Sequence, residues 1–165
     1  EFGPDAIGFY ALPFIGNEFI RQLGPGKLAN IKLFGLSPMG EEGFKNLLKV
    51  QGLQMITASA VPSPISTNYE IVREYQDDAK SQGIINFSNV YMLEGFINMS
   101  ILIEIISRIK TEVNMTTIID AAQSIKDLEF KGLKLNFNPE NRQLNDKLWL
   151  DTGEAEWLEV KISKD

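Results

Sequence analysis

Three short apolar runs near the start of the chain alternate with segments whose apolar residues recur at helical spacing. The runs are Asp5–Leu12, Ile31–Leu36 and Leu53–Val61, and each has the length of a buried β-strand. Phe14–Leu23 and Ser37–Val50 lie between the runs and have the spacing of helices. Strands that alternate with helices predict an α/β fold with a parallel sheet and crossover helices.

The pattern changes at Pro62-Ser63-Pro64, because the two prolines end the third run and keep the chain extended. Helices are predicted beyond it at Asn68–Ser81, Asn89–Lys110 and Thr116–Leu128. The last strand candidates are Leu133–Phe137, Leu148–Leu150 and Glu156–Ile162. The final two are joined around Asp151-Thr152-Gly153, which predicts that the chain ends in a small antiparallel hairpin.

The most apolar stretch, Val90–Ile109, has the length of a membrane-spanning helix but contains ionisable side chains. Glu94, Glu104 and Arg108 follow one another in helical steps. Charges at that density are costly in a bilayer. We therefore expect a helix of a soluble protein.

Composition excludes several classes of function. The chain of 165 residues has no Cys and no His, which removes disulfides, thiolate chemistry, imidazole catalysis and the usual zinc ligands. A net charge of −6 with scattered basic residues argues against a nucleic-acid partner. The first predicted strand is followed by Leu12-Pro13-Phe14 rather than a glycine-rich phosphate loop. We expect no catalytic residues, no metal and no cofactor.

Several segments, in their order, resemble the periplasmic solute-binding proteins of branched-chain amino acid transporters. PDAIGFYALPFIGNEFIRQLG, IKLFGLSPMGEEGFKNL and GLQMITASAVPSP look like three successive strands of the C-terminal lobe of that family. NVYMLEGFINMSILIEII is similar to a helix of its other lobe, and EAEWLEV looks like its final strand. The likeness covers nearly the whole chain, and complete members of the family are about twice as long.

The resemblance implies a periplasmic-binding-protein type 1 fold, in which two lobes close on a solute by hinge bending. Residues 1–62 and 130–165 would form part of the C-terminal lobe, and residues 63–129 the hinge crossing and the helical part of the other lobe. The implied partners are a small-molecule solute, a membrane transporter permease, and a missing N-terminal half or a second chain. The implied location is periplasmic, although the chain itself begins with no recognisable signal peptide.

Ligands of such folds bind beyond the carboxyl ends of the parallel strands. The candidate ligand-binding residues are Tyr10, Leu12, Phe14, Ser37, Ser63 and, from the other lobe, Tyr91. For four of them the residue type also suggests a purely structural role. Tyr10 and Phe14 could pack in the core, Ser37 could cap the helix that follows it, and Tyr91 could be a buried anchor.

The predicted function is the non-catalytic capture of a small organic solute in a hinged cleft, for delivery to an ABC-type transporter. Amino-acid-binding members of the family tend to have a Tyr where this chain has Leu12 and an acidic residue where it has Ser37. An ammonium group would lack its carboxylate there, so we expect a less charged or aromatic solute. The alternatives are a ligand-sensing module that regulates a partner protein, a flavodoxin-like domain of unknown role, and a fragment without binding capacity.

Overall fold

Seven strands and five helices are arranged in the computed structural model, which describes residues 3–162. The strands are β1 (Ala6–Phe9), β2 (Lys32–Leu36), β3 (Met55–Ser59), β4 (Leu128–Phe130), β5 (Leu133–Leu135), β6 (Lys147–Asp151) and β7 (Leu158–Lys161). The helices are α1 (Pro13–Leu23), α2 (Glu42–Val50), α3 (Glu70–Ser81), α4 (Val90–Ser107) and α5 (Met115–Gln123). Short 3-10 turns occupy Pro25–Lys27 and Ser37–Gly40.

Five of the strands form one sheet in the order β1-β2-β3-β6-β7. β1, β2 and β3 are parallel, and their crossovers contain α1 and α2. β6 joins the free edge of β3 in antiparallel pairing, and β7 pairs with β6. The predicted parallel sheet with crossover helices and a final antiparallel hairpin is confirmed. β4 and β5 form a separate hairpin.

The predicted helix Ser37–Val50 is wrong in its first turn. Ser37–Gly40 is a 3-10 turn without a side-chain cap, and α2 begins only at Glu42. The carboxylate of Glu41 accepts hydrogen bonds from the backbone N–H groups of Gly43 and Phe44, at 3.1 Å each. Glu41 therefore caps the helix, and the role of N-cap suggested for Ser37 is wrong.

The predicted helix Thr116–Leu128 ends early, at Gln123. Asp127 has a φ of 45°, a left-handed conformation that breaks helical geometry, and Leu128 then starts β4. The Leu128 backbone pairs with Leu135, so hydrogen bonding in the β4–β5 hairpin replaces the last helical turn. A strand of three residues is too short for its alternation of apolar and polar residues to reveal it in the sequence.

The chain builds two hydrophobic cores. The first lies between one face of the parallel strands and their crossover helices, and its buried residues include Phe9, Ile20, Leu33, Met39, Phe44, Leu48 and Met55. The second is formed by α3, α4, α5 and the β4–β5 hairpin, and its buried residues include Ile71, Val72, Tyr75, Leu93, Ile97, Ile125, Leu135 and Trp149. Val61–Ser66, the crossing segment, connects the two cores and is buried at every residue except Ile65.

Two apolar surfaces of this fold are left uncovered. On the sheet face opposite α1 and α2, Phe34 is 39% and Leu36 is 43% exposed. We call this surface the open sheet face. On α4, Met99 is 57% and Ile103 is 61% exposed. By length and composition alone, α4 is also the one helix among the described residues that could cross a membrane.

Candidate functional site

A pocket of about 390 Å³ lies between α2, the start of α4 and the end of β6. α2 and the β6–β7 connection form one side, the crossing segment forms its base, and the residues that start α4 close the other side. We call it the crossing pocket. Its polar and aromatic lining residues are Glu42, Lys45, Ser63, Ser88, Asp151, Glu154 and Trp157.

An ion pair between α2 and β6 fixes one wall of the crossing pocket. Lys45 Nζ lies 2.5 Å from Asp151 Oδ2, and the Asp151 side chain is almost completely buried. Asp151 Oδ1 accepts a hydrogen bond from the backbone N–H of Gly153 at 2.9 Å. The ammonium also lies 5.9 Å from the centre of the Trp157 ring. Both Asp151 oxygens are therefore satisfied, and the charge of Lys45 is neutralised within the wall.

A hydrogen bond joins the two sides of the crossing pocket. Ser88 Oγ lies 2.9 Å from Glu42 Oε2 and donates to it, which connects the first residue of α2 to the loop before α4. Asn89, the next residue, caps α4 by accepting from the backbone N–H groups of Tyr91 and Met92. The orphan amides at the start of α4 are thus partly used by the chain itself.

Tyr91 lies beside the same junction. Burial raises the pKa of its hydroxyl, and the carboxylates of Glu41 and Glu94 raise that pKa further. Glu41 is the N-cap of α2, whereas Tyr91 lies on α4. The carboxylate of one helix end therefore acts on the hydroxyl of a residue on the other helix. The junction between α2 and α4 is therefore an acidic environment.

Ser63 lies in the crossing segment at the base of the pocket. Its side chain is only 2% exposed, yet it lines the pocket. No hydrogen bond to its hydroxyl is observed among residues 3–162, although its backbone carbonyl accepts one from Ser66. No buried side-chain oxygen or nitrogen among these residues lacks a partner, so the Ser63 hydroxyl is accessible from the pocket rather than sealed in the interior.

A second cavity, of about 450 Å³, lies between α4 and the strands β5 and β6. Apolar side chains dominate its lining, among them Ile97, Ile101, Leu135 and Trp149. Such a lining offers packing and few directional contacts. The crossing pocket therefore has the more specific chemistry.

The structure brings only Ser63 of the six predicted ligand-binding residues into the crossing pocket. Tyr10 is 91% and Phe14 is 68% exposed, so the alternative that they pack in the core is wrong. Tyr91 is 43% exposed, so the alternative of a buried anchor is also wrong. Tyr10 borders the open sheet face, together with Phe34.

The remaining two predicted residues follow the carboxyl ends of β1 and β2. Leu12 is 52% exposed and Ser37 is half-buried. Neither lines the crossing pocket, so ligand binding at both positions stays a prediction.

The sequence pattern did not reveal most of the crossing pocket. Lys45 and Asp151 are separated by 106 positions and lie in segments whose patterns predict only a helix and a turn. Glu42 and Ser88 are separated by 46 positions, and no spacing in the sequence predicts that they form a pair. No short motif contains these residues, because the tertiary structure brings them together, in the case of Asp151 through the return of β6 to the sheet.

Solved structures with the same fold exist. The chain is similar to a possible leucine/isoleucine/valine-binding protein from Rhodopirellula baltica SH 1, with a TM-score of 0.71 and 21% identity over 96% of this chain and 43% of that one. It is also similar to a substrate-binding periplasmic protein from Ralstonia solanacearum, with a TM-score of 0.69 and 22% identity over 95% and 45% of the two chains. A third similar structure is an ABC transporter substrate-binding protein from Aeropyrum pernix. Its TM-score is 0.70 at 14% identity, over 96% of this chain and 44% of that one.

No family model matches the sequence, and no curated protein matches it significantly. The relationship therefore rests on structure, at identities that show the fold alone. The chain spans less than half the length of the solved structures that it matches. The chain therefore has the fold of the half of these solved structures that it covers.

Proposed function

We propose that the chain is part of a receptor that captures a small organic solute without chemistry, in a cleft between two lobes. The observation that carries this proposal is the crossing pocket, which opens between α2, a helix of the first core, and the start of α4, a helix of the second core. A pocket at such a junction changes shape when the lobes rotate, which is how hinged binding proteins close on a ligand. The similarity in fold to solved substrate-binding proteins supports the same function.

The two cores support a division of the chain into two lobe portions. In this proposal residues 1–62 and 130–165 belong to one lobe and residues 63–129 to the other, of which residues 1–2 and 163–165 lie outside the described residues. The hinge would then consist of the crossing segment and the region around β4. A clean division has exceptions, because five residues of the first set are buried in the second core: Val61, Phe130, Leu133, Leu135 and Trp149.

A missing N-terminal half, or a second chain, would cover the two exposed apolar surfaces. The open sheet face includes Phe34, Leu36, Ile56 and Leu150, and a sheet in this class of fold is covered on both faces. α4 has apolar residues on more than one side, since Leu93 and Ile97 are buried while Met99 and Ile103 are exposed, which is typical of a helix that a further element covers. The coverage of 43% of a solved relative is consistent with half of a larger protein.

Delivery of the solute to an ABC-type transporter permease and a periplasmic location complete the proposal. Both come from the solved structures of similar fold, one of which is an ABC transporter substrate-binding protein and another a periplasmic one.

A thermal-shift screen of the full-length protein tests solute capture. A solute that binds only the folded state raises the melting temperature, by mass action, as its concentration increases. We expect a shift from at least one compound in a collection of amino acids, amides, amines and aromatic acids. A screen without any shift would contradict the proposed function.

Analytical ultracentrifugation tests the proposed second half. The isolated chain should self-associate, whereas a mixture with its separately expressed N-terminal half should give one species of defined mass. Phe34→Lys should reduce both forms of association, since it places a charge on the open sheet face. A compact, monodisperse monomer of the isolated chain would contradict this part of the proposal.

A further inference from the structure

We infer that the apolar cavity of about 450 Å³ beside α4 is filled by apolar side chains of the missing N-terminal half, and that it is not a second solute site. We call it the corner cavity. The inference rests on the proposed function, because it assigns a surface to the missing half. Three features support it: the continuity of the cavity with both exposed apolar surfaces, the hydrogen bonds of its polar lining residues, and the extent of the combined surface.

The corner cavity continues the open sheet face. Ala58 and Leu150 border the open sheet face and pair with each other across β3 and β6. Ala60 and Leu148, each two positions away along its own chain segment, line the corner cavity. Side chains two positions apart along a strand point to the same side of the sheet. The open sheet face therefore runs into the cavity without a change of side.

The corner cavity also borders the exposed strip of α4. Leu102 lines the cavity and is 37% exposed. Met99, three positions before it, is a neighbour on the helix surface, and Ile103 lies beside Met99 in the same way. Met92 and Gly95 extend this strip toward the start of the helix, and a Cβ at Gly95 would have no atom within 4 Å. The open sheet face, the cavity and the strip of α4 are thus one apolar surface.

Most polar groups around the corner cavity are already used by the chain. The Asn145 side chain donates to the backbone carbonyl of Lys147 and accepts from its N–H, at 3.1 Å each. Lys147 Nζ forms an ion pair with a glutamate of β7 at 2.6 Å, and the Gln143 side-chain oxygen accepts from a neighbouring asparagine. The other polar lining residues are Glu94 and Asn98, one turn apart on α4. Solute pockets need polar groups that converge on the ligand, so this lining suits apolar side chains better.

The extent of the apolar surface indicates the size of its occupant. It reaches from Phe34 on the sheet to Met99 on α4, and a small molecule in the corner cavity would leave both ends exposed. The solved structures of similar fold have more than half of their length outside the matched part, since the chain covers 43% and 45% of two of them. A half of that size can cover the whole surface.

A second copy of this chain is a poorer occupant. In a two-fold contact the same surface patch pairs with itself, so one concave corner would face another and neither cavity would be filled. Apolar surfaces of this extent are rarely left open to water in a soluble protein. The missing N-terminal half therefore remains the occupant that fits both the shape and the size of the surface.

Single cysteines test whether the corner cavity is filled. The chain has no Cys, so a variant reports on one position once any cysteines of the missing half are replaced by serine. Leu102→Cys and Ala60→Cys lie in the cavity, and Val50→Cys at the end of α2 is the matched control, since Val50 is 88% exposed and does not line it. Each full-length variant is labelled with a maleimide in its folded state and in urea.

We expect labelling of Leu102→Cys and Ala60→Cys to be at least about 100-fold slower in the folded protein than in urea, because the cavity must open before the thiol can react. Val50→Cys should react at similar rates under both conditions. If Leu102→Cys or Ala60→Cys reacted as fast as Val50→Cys in the folded protein, the inference would be overturned.

A photoreactive side chain identifies the occupant. Leu102 is replaced by p-benzoylphenylalanine in the full-length protein, and the cross-linked peptides are mapped by mass spectrometry. We expect cross-links within one molecule to residues of the N-terminal half, and none of these when Val50 is replaced instead. A cross-linked dimer, or cross-links only to residues of the present chain, would overturn the inference.

The inference and the proposed function fail in different ways. Unprotected cysteines, together with a thermal shift from a solute, would end the inference and leave solute capture intact. Protected cysteines without a thermal shift from any solute would end solute capture and leave the packing of the N-terminal half intact.

Discussion

Trp149 on β6 donates its indole N–H to the hydroxyl oxygen of Tyr69 across 2.9 Å, although the two residues are separated by 80 positions. Their rings meet edge to face, with centres 6.0 Å apart. Tyr69 in turn donates its hydroxyl hydrogen to Glu159 on β7 at 2.8 Å. The residue before α3 is therefore anchored to both antiparallel strands of the sheet.

Tyr69→Phe should destabilise the protein by about 1–3 kcal/mol, because the indole N–H of Trp149, which is only 2% exposed, loses its acceptor. The free energy of unfolding from urea denaturation, monitored by tryptophan fluorescence, measures the effect. Tyr10→Phe is the matched control, since the Tyr10 side chain is 91% exposed, and it should change the stability by less than about 0.5 kcal/mol. Equal effects of the two substitutions would show that the hydrogen bond has no role in stability.

Glu159 should make stability depend on pH in the acidic range. The hydrogen bond from Lys147 lowers its pKa below the ordinary value of 4.5, with a further contribution from Tyr69, against the effect of burial. A carboxyl whose pKa is lower in the folded state stabilises above its unfolded pKa and loses that stabilisation as the pH falls. Its side chain is 39% exposed, so the contribution is below about 1 kcal/mol.

Glu159→Gln checks this dependence. Its stability should be lower than that of the wild type at pH 7, and the difference should shrink as the pH falls below 4.5. Unfolding curves at a series of pH values measure the difference. A constant difference at all of these values would contradict the assignment to Glu159.

Lys45→Met should cost about 2–3 kcal/mol, because it leaves the Asp151 carboxylate buried without its counter-charge. The cost is below that of a fully buried pair, since the Lys45 side chain is 35% exposed. Lys49→Met, one turn later on α2 and exposed, should change stability by less than about 0.5 kcal/mol. Chemical denaturation of both variants compares them. A neutral Lys45→Met would mean that Asp151 is not held by this pair.

Gly35→Ala should destabilise by about 1–3 kcal/mol, since a Cβ there would lie 2.7 Å from Met39 Cβ and 2.9 Å from Met55 Sδ. Gly8→Ala is the control in the adjacent strand, where no atom lies within 4 Å of the added carbon. In the isolated chain it should be neutral or stabilising, because alanine is less costly to order. Thermal unfolding of both variants distinguishes the packed face of the sheet from the open one.

The sequence predicted the parallel core well because its strands are short, apolar and separated by amphipathic helices. The pattern failed where local signals compete. Ser37-Pro38 is typical of a helix start, but Glu41 caps α2 and the preceding residues form a 3-10 turn. The end of α5 depends on the pairing of Leu128 with Leu135, which has no signal in the helical period.

The candidate site was harder to predict than the fold for a physical reason. Ser63 could be found because prolines mark the segment around it. Asp151 contributes to the wall of the pocket through its ion pair with Lys45. A residue pair that only the tertiary structure forms has no characteristic spacing in the sequence. Tyr10 and Phe14 are predicted from their position after a strand, and position alone does not determine whether a side chain points toward the pocket.

The late return of β6 has a consequence for synthesis on the ribosome. Ser59 on β3 pairs with Trp149, so the edge of β3 has no partner until 90 further residues have been made. At translation rates of about 5–20 residues per second, that interval is roughly 5–18 s. During it a nascent chain presents an unpaired strand edge and half of an apolar sheet, the features that chaperones bind and that promote aggregation. Slower translation would lengthen this exposure, so the yield of folded protein should fall as elongation is slowed.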